Sequence, residues 1–392
     1  MTERFFAPCP RGLEAALAVE LSALGGEFVA PAEGGVAFSG SRELVYRANL
    51  ESRLASRILW QVAHGRYRDE DDLYRLAHAV DWTSHFKVER TLRVDVAATR
   101  SPLASLAFAT LRIKDAVCDR CREAQGRRPS VDKERPDIRV HAYLTLHEAT
   151  LYLDTSGEAL FKRGYRRDVD AAPLRENLAA GLVTLAGWSP GTPFLDPLCG
   201  SGTIAIEAAM IAADRAPGLN RTFGFQKLLW YDGPAWQRIR QRAHDRVRPL
   251  PSLPAIFASD IDASALVQCR ANAEAAGVAR WIDLTQQDVL TRAAPAASGT
   301  LIANPPYGLR LDDEAKLADF YPRLGDALKR NFTGWTVCLL TGDLRLAKLI
   351  GLRPSRRTPL YNGNIECRLF RFEIVAGRPV RRRAAESGDT QC

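Results

Sequence analysis

The run Asn304-Pro-Pro-Tyr307 combines a side-chain amide, two successive prolines and an aromatic ring. Pro305 and Pro306 fix φ and remove two N–H donors, leaving a stiff turn of unpaired carbonyls. A rigid pair made of the Asn304 amide oxygen and the Pro305 carbonyl can accept both hydrogens of a flat exocyclic NH2 group. That aims the nitrogen lone pair at an electrophile, while the Tyr307 ring can stack on the attached base. The chemistry such a site performs is positioning for in-line transfer rather than strong acid–base catalysis. A plain proline turn is the competing explanation.

Three further sites share the setting of this turn, just past an apolar strand. Phe194-Leu-Asp-Pro-Leu-Cys-Gly-Ser-Gly-Thr203 leads from a strand into a glycine turn and then a helix. Gly200 and Gly202 allow the backbone to turn tightly and approach a ligand, where a β-carbon would collide. Asp196 can receive a ligand's ammonium, or merely cap the turn. Asp260, in Phe257-Ala-Ser-Asp-Ile-Asp262, can hold both hydroxyls of a ribose, and Asp262 reads as the cap of the following helix. Asp288, in Gln286-Gln-Asp-Val-Leu290, can accept from an adenine amino group or stand as a surface aspartate. Gly200-Ser-Gly202-Thr-Ile-Ala205 also satisfies a dinucleotide fingerprint. That motif expects its ribose-binding acid roughly 20 residues on, whereas Asp260 comes 58 positions after Gly202. The spacing counts against NAD.

These residues need a sheet whose strand ends meet at one edge. Strands are expected at Phe194–Asp196, Ala255–Asp260, Ile282–Gln286, Thr300–Asn304 and Thr336–Thr341, with helices at Ile204–Ala213, Ser264–Ala276 and Ala315–Phe332. Such alternation implies βαβ units and a doubly wound, Rossmann-like α/β sheet. A closing hairpin through Asn362-Gly363 brings it to seven strands, one of them antiparallel. Upstream, strand and helix signals mix without strict alternation, as in an α+β region of two small modules. The expected divisions are 1–60, 61–160 and 161–376, with a basic, disordered tail at 377–392.

The 392 residues carry 54 basic and 46 acidic side chains, a net +8 that permits a polyanionic partner without requiring one. With 46% hydrophobic and 26% charged residues, collagen-like and fully disordered chains are excluded. No run reaches the roughly 18 to 20 apolar residues of a membrane span. The beginning of the chain lacks a secretory pattern, so a cytoplasmic protein is expected. The 8 cysteines suit buried thiols in a reducing compartment. Cys118-x-x-Cys121 has no second ligand pair, so no metal is expected. The six histidines suggest no triad. Residues 214–254, with Arg221, Phe223, Phe225, Trp230, Tyr231, Trp236, Arg238, Arg240 and Arg242, read equally as an RNA-binding surface or a packed helical cap. Arg163, Arg166 and Arg167 read equally as RNA contacts or a solvated linker.

Taken in order, Asp196-x-x-x-Gly200-x-Gly202, Ser259-Asp-Ile-Asp262, Asp288 and Asn304-Pro-Pro-Tyr307 resemble the class I S-adenosylmethionine-dependent methyltransferases that methylate amino groups. The first 155 or so residues resemble a ferredoxin-like module followed by a THUMP domain, an RNA-binding unit. Arg11-Gly-Leu-Glu14, Ser52-Arg-Leu-Ala-Ser-Arg57, Ile113-Lys-Asp-Ala116, Arg135-Pro-Asp-Ile-Arg139 and Asp154-Thr-Ser-Gly157 carry that likeness. With Arg163-Gly-Tyr-Arg166 and Asp214-Arg-Ala-Pro-Gly218, it extends to about residue 375 and is strongest with bacterial 23S rRNA guanine-N2 methyltransferases.

The resemblance implies methyl transfer to the exocyclic N2 of a guanine in large-subunit rRNA. It places Asp196, Gly200 and Gly202 at the methionine end of S-adenosylmethionine, Asp260 at the ribose and Asp288 at the adenine. Asn304, Pro305, Pro306 and Tyr307 would form the corner that holds the target guanine. Some relatives carry a second methyltransferase domain after the first; here a short basic tail follows, so a second activity is not expected. Rival readings are a tRNA guanine-N2 or an adenine-N6 methyltransferase, a non-catalytic RNA-binding assembly factor, and an NAD-dependent oxidoreductase.

Overall fold

The computed structural model describes residues 2–166, 174–248, 255–306 and 314–376. The upstream elements run β1 (Glu3–Pro8), α1 (Glu14–Ala23), β2 (Glu27–Ala32), β3 (Gly35–Gly40), α2 (Arg42–Glu51), β4 (Leu59–Arg66), α3 (Glu70–His78), β5 (Leu92–Ala98), α4 (Leu106–Gln125), β6 (Ile138–Leu144) and β7 (Glu148–Asp154). Their strands form one sheet in the order β2-β3-β1-β4-β7-β6-β5. Strand β4 pairs with β1 through Phe5–Trp60 and with β7 through Trp60–Leu153, so the first two expected units share a continuous sheet. Local chemistry accounts for the ends. Ser105 accepts from the Phe108 amide at 3.2 Å to start α4, and Gly126, at φ 71°, ends it.

The second half comprises α5 (Glu176–Ala186), β8 (Phe194–Asp196), α6 (Thr203–Ala212), α7 (Gly233–Asp245), β9 (Ile256–Asp260), α8 (Ala263–Ala275), β10 (Ile282–Gln286), β11 (Gly299–Ala303), α9 (Glu314–Asn331), β12 (Trp335–Thr341), α10 (Leu344–Leu349), β13 (Arg356–Asn362) and β14 (Ile365–Glu373). The sheet order is β10-β9-β8-β11-β12-β14-β13. The first five strands are parallel, and β14 runs antiparallel to both β12 and β13. This is the expected doubly wound sheet with one reversed strand. The order reverses direction around β8, which opens a crevice beyond the carboxyl ends of β8 and β11.

A buried core runs without a break from the upstream sheet into α5 and α6, while a second lies among β11, β12, β14 and α9. The halves fit closely. A β-carbon on Gly12 would lie 2.2 Å from the Pro359 carbonyl, and one on Gly181 would lie 2.5 Å from the Leu13 side chain.

Three expectations need correction. Phe223, Phe225 and Trp236 are core residues: Phe225 and Trp236 pack on Tyr46 at 4.7 and 6.1 Å from its ring, and Phe223 packs on those two rings. Those rings therefore cannot stack on RNA, and the helical cap is the correct reading for them; Arg238, Arg240 and Arg242 line its exposed face. Arg163 is buried rather than on a solvated linker, because Glu207 and two backbone carbonyls draw its charge inward. Arg166 is likewise held by Glu176 at 3.2 Å. Arg167, Tyr307 and the 377–392 tail lie outside the described residues.

The seven described cysteines are buried, Cys118 and Cys121 among them, as expected of thiols in apolar segments. Among the described residues, no group of three or more His, Cys, Asp or Glu could hold a metal ion. No described helix is long and apolar enough to cross a membrane.

Candidate active site

The strand register assembles the candidate residues at one edge. Asp196 stands level with Ala258 on β9, so Asp260 lies two residues further out, about 7 Å at the usual strand rise. Asp260 pairs with Gln286, which puts Asp288 a further two residues past β10. On the other side Leu195 pairs with Leu301, so Asn304 also projects two residues beyond the row of Asp196. The carboxyl ends of four adjacent strands thus bring together residues separated by 108 positions in the chain.

The glycine loop is fastened to its neighbour. The Gly200 amide donates to Asp260 Oδ2 at 2.8 Å, and the Asp262 amide donates to Oδ1 at 3.1 Å. Each carboxylate oxygen keeps a second lone pair for a ligand hydroxyl. Gly200 and Gly202 have φ of 51° and 86°, where L side chains are strained. A β-carbon on Gly202 would lie 2.4 Å from Cys269 Sγ, whereas one on Gly200 would meet nothing within 4 Å. Gly202 is thus required by packing beneath the loop, and Gly200 leaves space above it. Asp262 caps α8 through the Ser264 amide at 2.8 Å, as expected.

Two residues at this edge, Asp196 and Asn304, carry buried side-chain oxygens that lack a well-formed hydrogen bond among the described residues. Both Asp196 carboxylate oxygens are buried, on a residue that is 0% exposed, with the Leu198 and Ala205 amides as their nearest donors. Burial pushes its carboxyl up to about 8, and the nearby Asp260 charge adds to the shift. The Asn304 side-chain oxygen is also buried, with no partner among the described residues. Unsatisfied buried acceptors are costly, so both residues keep capacity for a donor that a ligand could supply. Asp288 is half-buried and accepts from the Leu290 amide at 2.9 Å.

Sequence reasoning did not single out Tyr321. It is fully buried on α9 and donates to the Pro306 carbonyl at 3.3 Å, bracing the proline corner from below. Its only signal was an aromatic on an apolar helix face. Thr203 was also missed; its hydroxyl receives the Arg166 guanidinium at 2.9 Å, tying the junction to the start of α6.

A doubly wound sheet of this order, a glycine loop after its first strand and an Asn-Pro-Pro corner after its fourth define a class I methyltransferase. The chain belongs to the family described as RMKL-like, methyltransferase domain, whose model matches residues 163–371. A THUMP domain matches residues 67–154, and an RlmL ferredoxin-like domain matches residues 4–59. The ribosomal RNA large subunit methyltransferase K/L of Syntrophotalea carbinolica is 43% identical over 96% of this chain and 54% of its own length. The chain therefore spans about half the length of that relative. A Synechocystis protein carrying an RNA methyltransferase name is 41% identical over 95% of this chain and 97% of its own. The crystal structure of SMU.472, described as a methyltransferase complexed with SAH, superposes with a TM-score of 0.86 at 31% identity, over 95% of this chain and 98% of that one.

S-adenosylmethionine is the cofactor of this family, and the donor set suits it. The buried Asp196 carboxylate can meet an ammonium, Asp260 a ribose diol, and the open face at Gly200 allows close approach.

Proposed function

We propose that this chain methylates the exocyclic N2 of a guanine in 23S rRNA. The observation that carries the proposal is the buried Asn304 oxygen, without a partner among the described residues, on the braced proline corner at the same edge as the buried Asp196 carboxylate. S-adenosylmethionine, when bound, supplies an activated methyl group. In this reading Asp196, Gly200 and Gly202 bind its methionine end, Asp260 its ribose and Asp288 its adenine. Asn304 and the Pro305 carbonyl hold the guanine NH2, Pro306 keeps the corner rigid, and Tyr307 stacks on the base. A guanine within a stem cannot present N2 to this edge, so the base is flipped out or already unpaired, at a cost of a few kcal/mol offset by stacking.

The large-subunit rRNA reading is supported by the relatives' names and by the THUMP match. We read residues 1–60 as the ferredoxin-like module, 61–160 as the THUMP domain and 161–376 as the methyltransferase, acting in the cytoplasm. The test is single-turnover methylation of 23S rRNA fragments, with nuclease digests read by mass spectrometry. N2-methylguanosine is expected, and Asn304→Ala should slow its formation at least about 100-fold, the scale of a lost positioning contact. A product at adenine N6, or transfer to tRNA alone, would overturn the proposal.

A further inference from the structure

A groove of about 1120 Å³ adjoins the rim, larger than the roughly 300 to 1000 Å³ of a small-ligand cleft. Its walls are the junction at 158–166, the start of α5, the loop at 219–222, one face of α7 and the turn between β13 and β14. Strand β13 runs parallel to β12, so its Asn362 end lies at the same sheet edge as Asn304. Arg166 lines the groove and also reaches Thr203, the residue after Gly202, so one groove wall lies beside the glycine loop.

The groove walls carry Lys162, Arg166, Arg175, Arg221 and Arg240 against two carboxylates, Glu158 and Glu176. Two of the five cations are structural. Arg166 is paired with Glu176, and Arg221 clamps the carbonyls of Glu158, Ala159 and Lys162, which shapes the junction wall. Lys162, Arg175 and Arg240 are exposed, Lys162 in a solvent-facing pair with Glu158 at 3.3 Å and Arg240 donating to the Leu219 carbonyl at 3.4 Å. The Arg175 guanidinium lies 5.0 Å over the half-buried Phe161 ring, a paired cation and π-face of the kind that unpaired bases stack on.

We infer that this groove carries single-stranded RNA beside the target nucleotide, with Lys162, Arg175 and Arg240 on its phosphates and Phe161 beneath a base. The inference rests on the proposed RNA substrate and adds the track by which a strand reaches the rim. A flipped base requires the flanking backbone to leave its helix, and a basic groove at the same sheet edge receives it.

The test uses the full chain and a fluorescent 12-nucleotide oligouridine, with affinity read by anisotropy across a salt series. Each phosphate contact on a single strand contributes about −0.7 to the slope of log K against log salt. The Lys162→Ala/Arg175→Ala/Arg240→Ala variant should therefore flatten the slope by about 2 and weaken binding at least 10-fold at low salt. Phe161→Ala should weaken binding several-fold without changing the slope. S-adenosylmethionine affinity should remain at the wild-type value, which shows that the variants are folded. A triple variant with wild-type affinity and slope would overturn the inference. Oligouridine binding does not depend on guanine methylation, so groove-dependent binding without an N2-methylguanosine product would sink the proposed function alone.

Discussion

Arg163 and Glu207 meet at 3.4 Å with both side chains almost wholly out of solvent, joining the chain's junction to the helix that the glycine loop begins. Arg163 also donates to the Arg53 carbonyl, and the Arg53 guanidinium reaches the carbonyls of Met210 and Arg215. The upstream half is thereby clasped to the middle and the carboxyl end of α6. Removing one partner of a buried pair leaves an uncompensated charge, a loss of about 3 to 5 kcal/mol. Arg163→Ala should lose that much in urea denaturation, and a change under 1 kcal/mol would show that the clasp is not structural.

Asp196 sets a pH dependence. Its native carboxyl titrates near 8 instead of the ordinary 3.8, so between those values the native state holds a proton that the unfolded chain has released. Stability from this group is complete below about pH 4, declines as pH rises, and is gone above about 8. In cofactor-free protein, Asp196→Asn should be more stable than wild type at pH 8.5 and lose that advantage at pH 5. Binding of an ammonium-bearing cofactor at pH 7 should release close to one proton. Calorimetry in two buffers of different ionisation enthalpy measures this, and zero release would remove Asp196 from the cofactor site.

The fit beneath Gly202 predicts a coupled pair. Gly202→Ala suffers both the positive φ, about 1 to 2 kcal/mol, and the clash with Cys269 Sγ. Adding Cys269→Ala should recover the clash but not the backbone cost. A double-mutant cycle on thermal stability and cofactor affinity reads the coupling, and strict additivity of the two changes would refute the contact.

Tyr321→Phe removes the donor to the Pro306 carbonyl with little change in shape. It should cost about 1 kcal/mol of stability and slow single-turnover methylation several-fold, with cofactor affinity unchanged. Wild-type rates would show that the corner is rigid through its prolines alone.

The catalytic sheet was legible in the sequence because its signals are local. Phe194–Asp196 is a short, mostly apolar run, Ile282–Gln286 alternates apolar and polar residues, and Asn362-Gly363 sets its hairpin without help from the rest of the chain. The upstream sheet was less legible. Strand β4 lacks a clean alternation because its first residues are buried while the rest are half-exposed beside two different neighbours.

Residue type and spacing alone determined which groups could carry chemistry: the donor-poor corner at Asn304, the glycine turn at Gly200 and Gly202, and the carboxylates at Asp196, Asp260 and Asp288. Only the folded chain decided what surrounds them. A sequence cannot tell an arginine that faces solvent from one drawn inward, and Arg163 was resolved by Glu207, which lies 44 positions away. The same holds for the rings at 225 and 236, which became core because Tyr46 from another part of the chain packs against them. Burial and charge pairing are sums over neighbours brought close by folding, whereas turns and strand ends are written in a few consecutive residues.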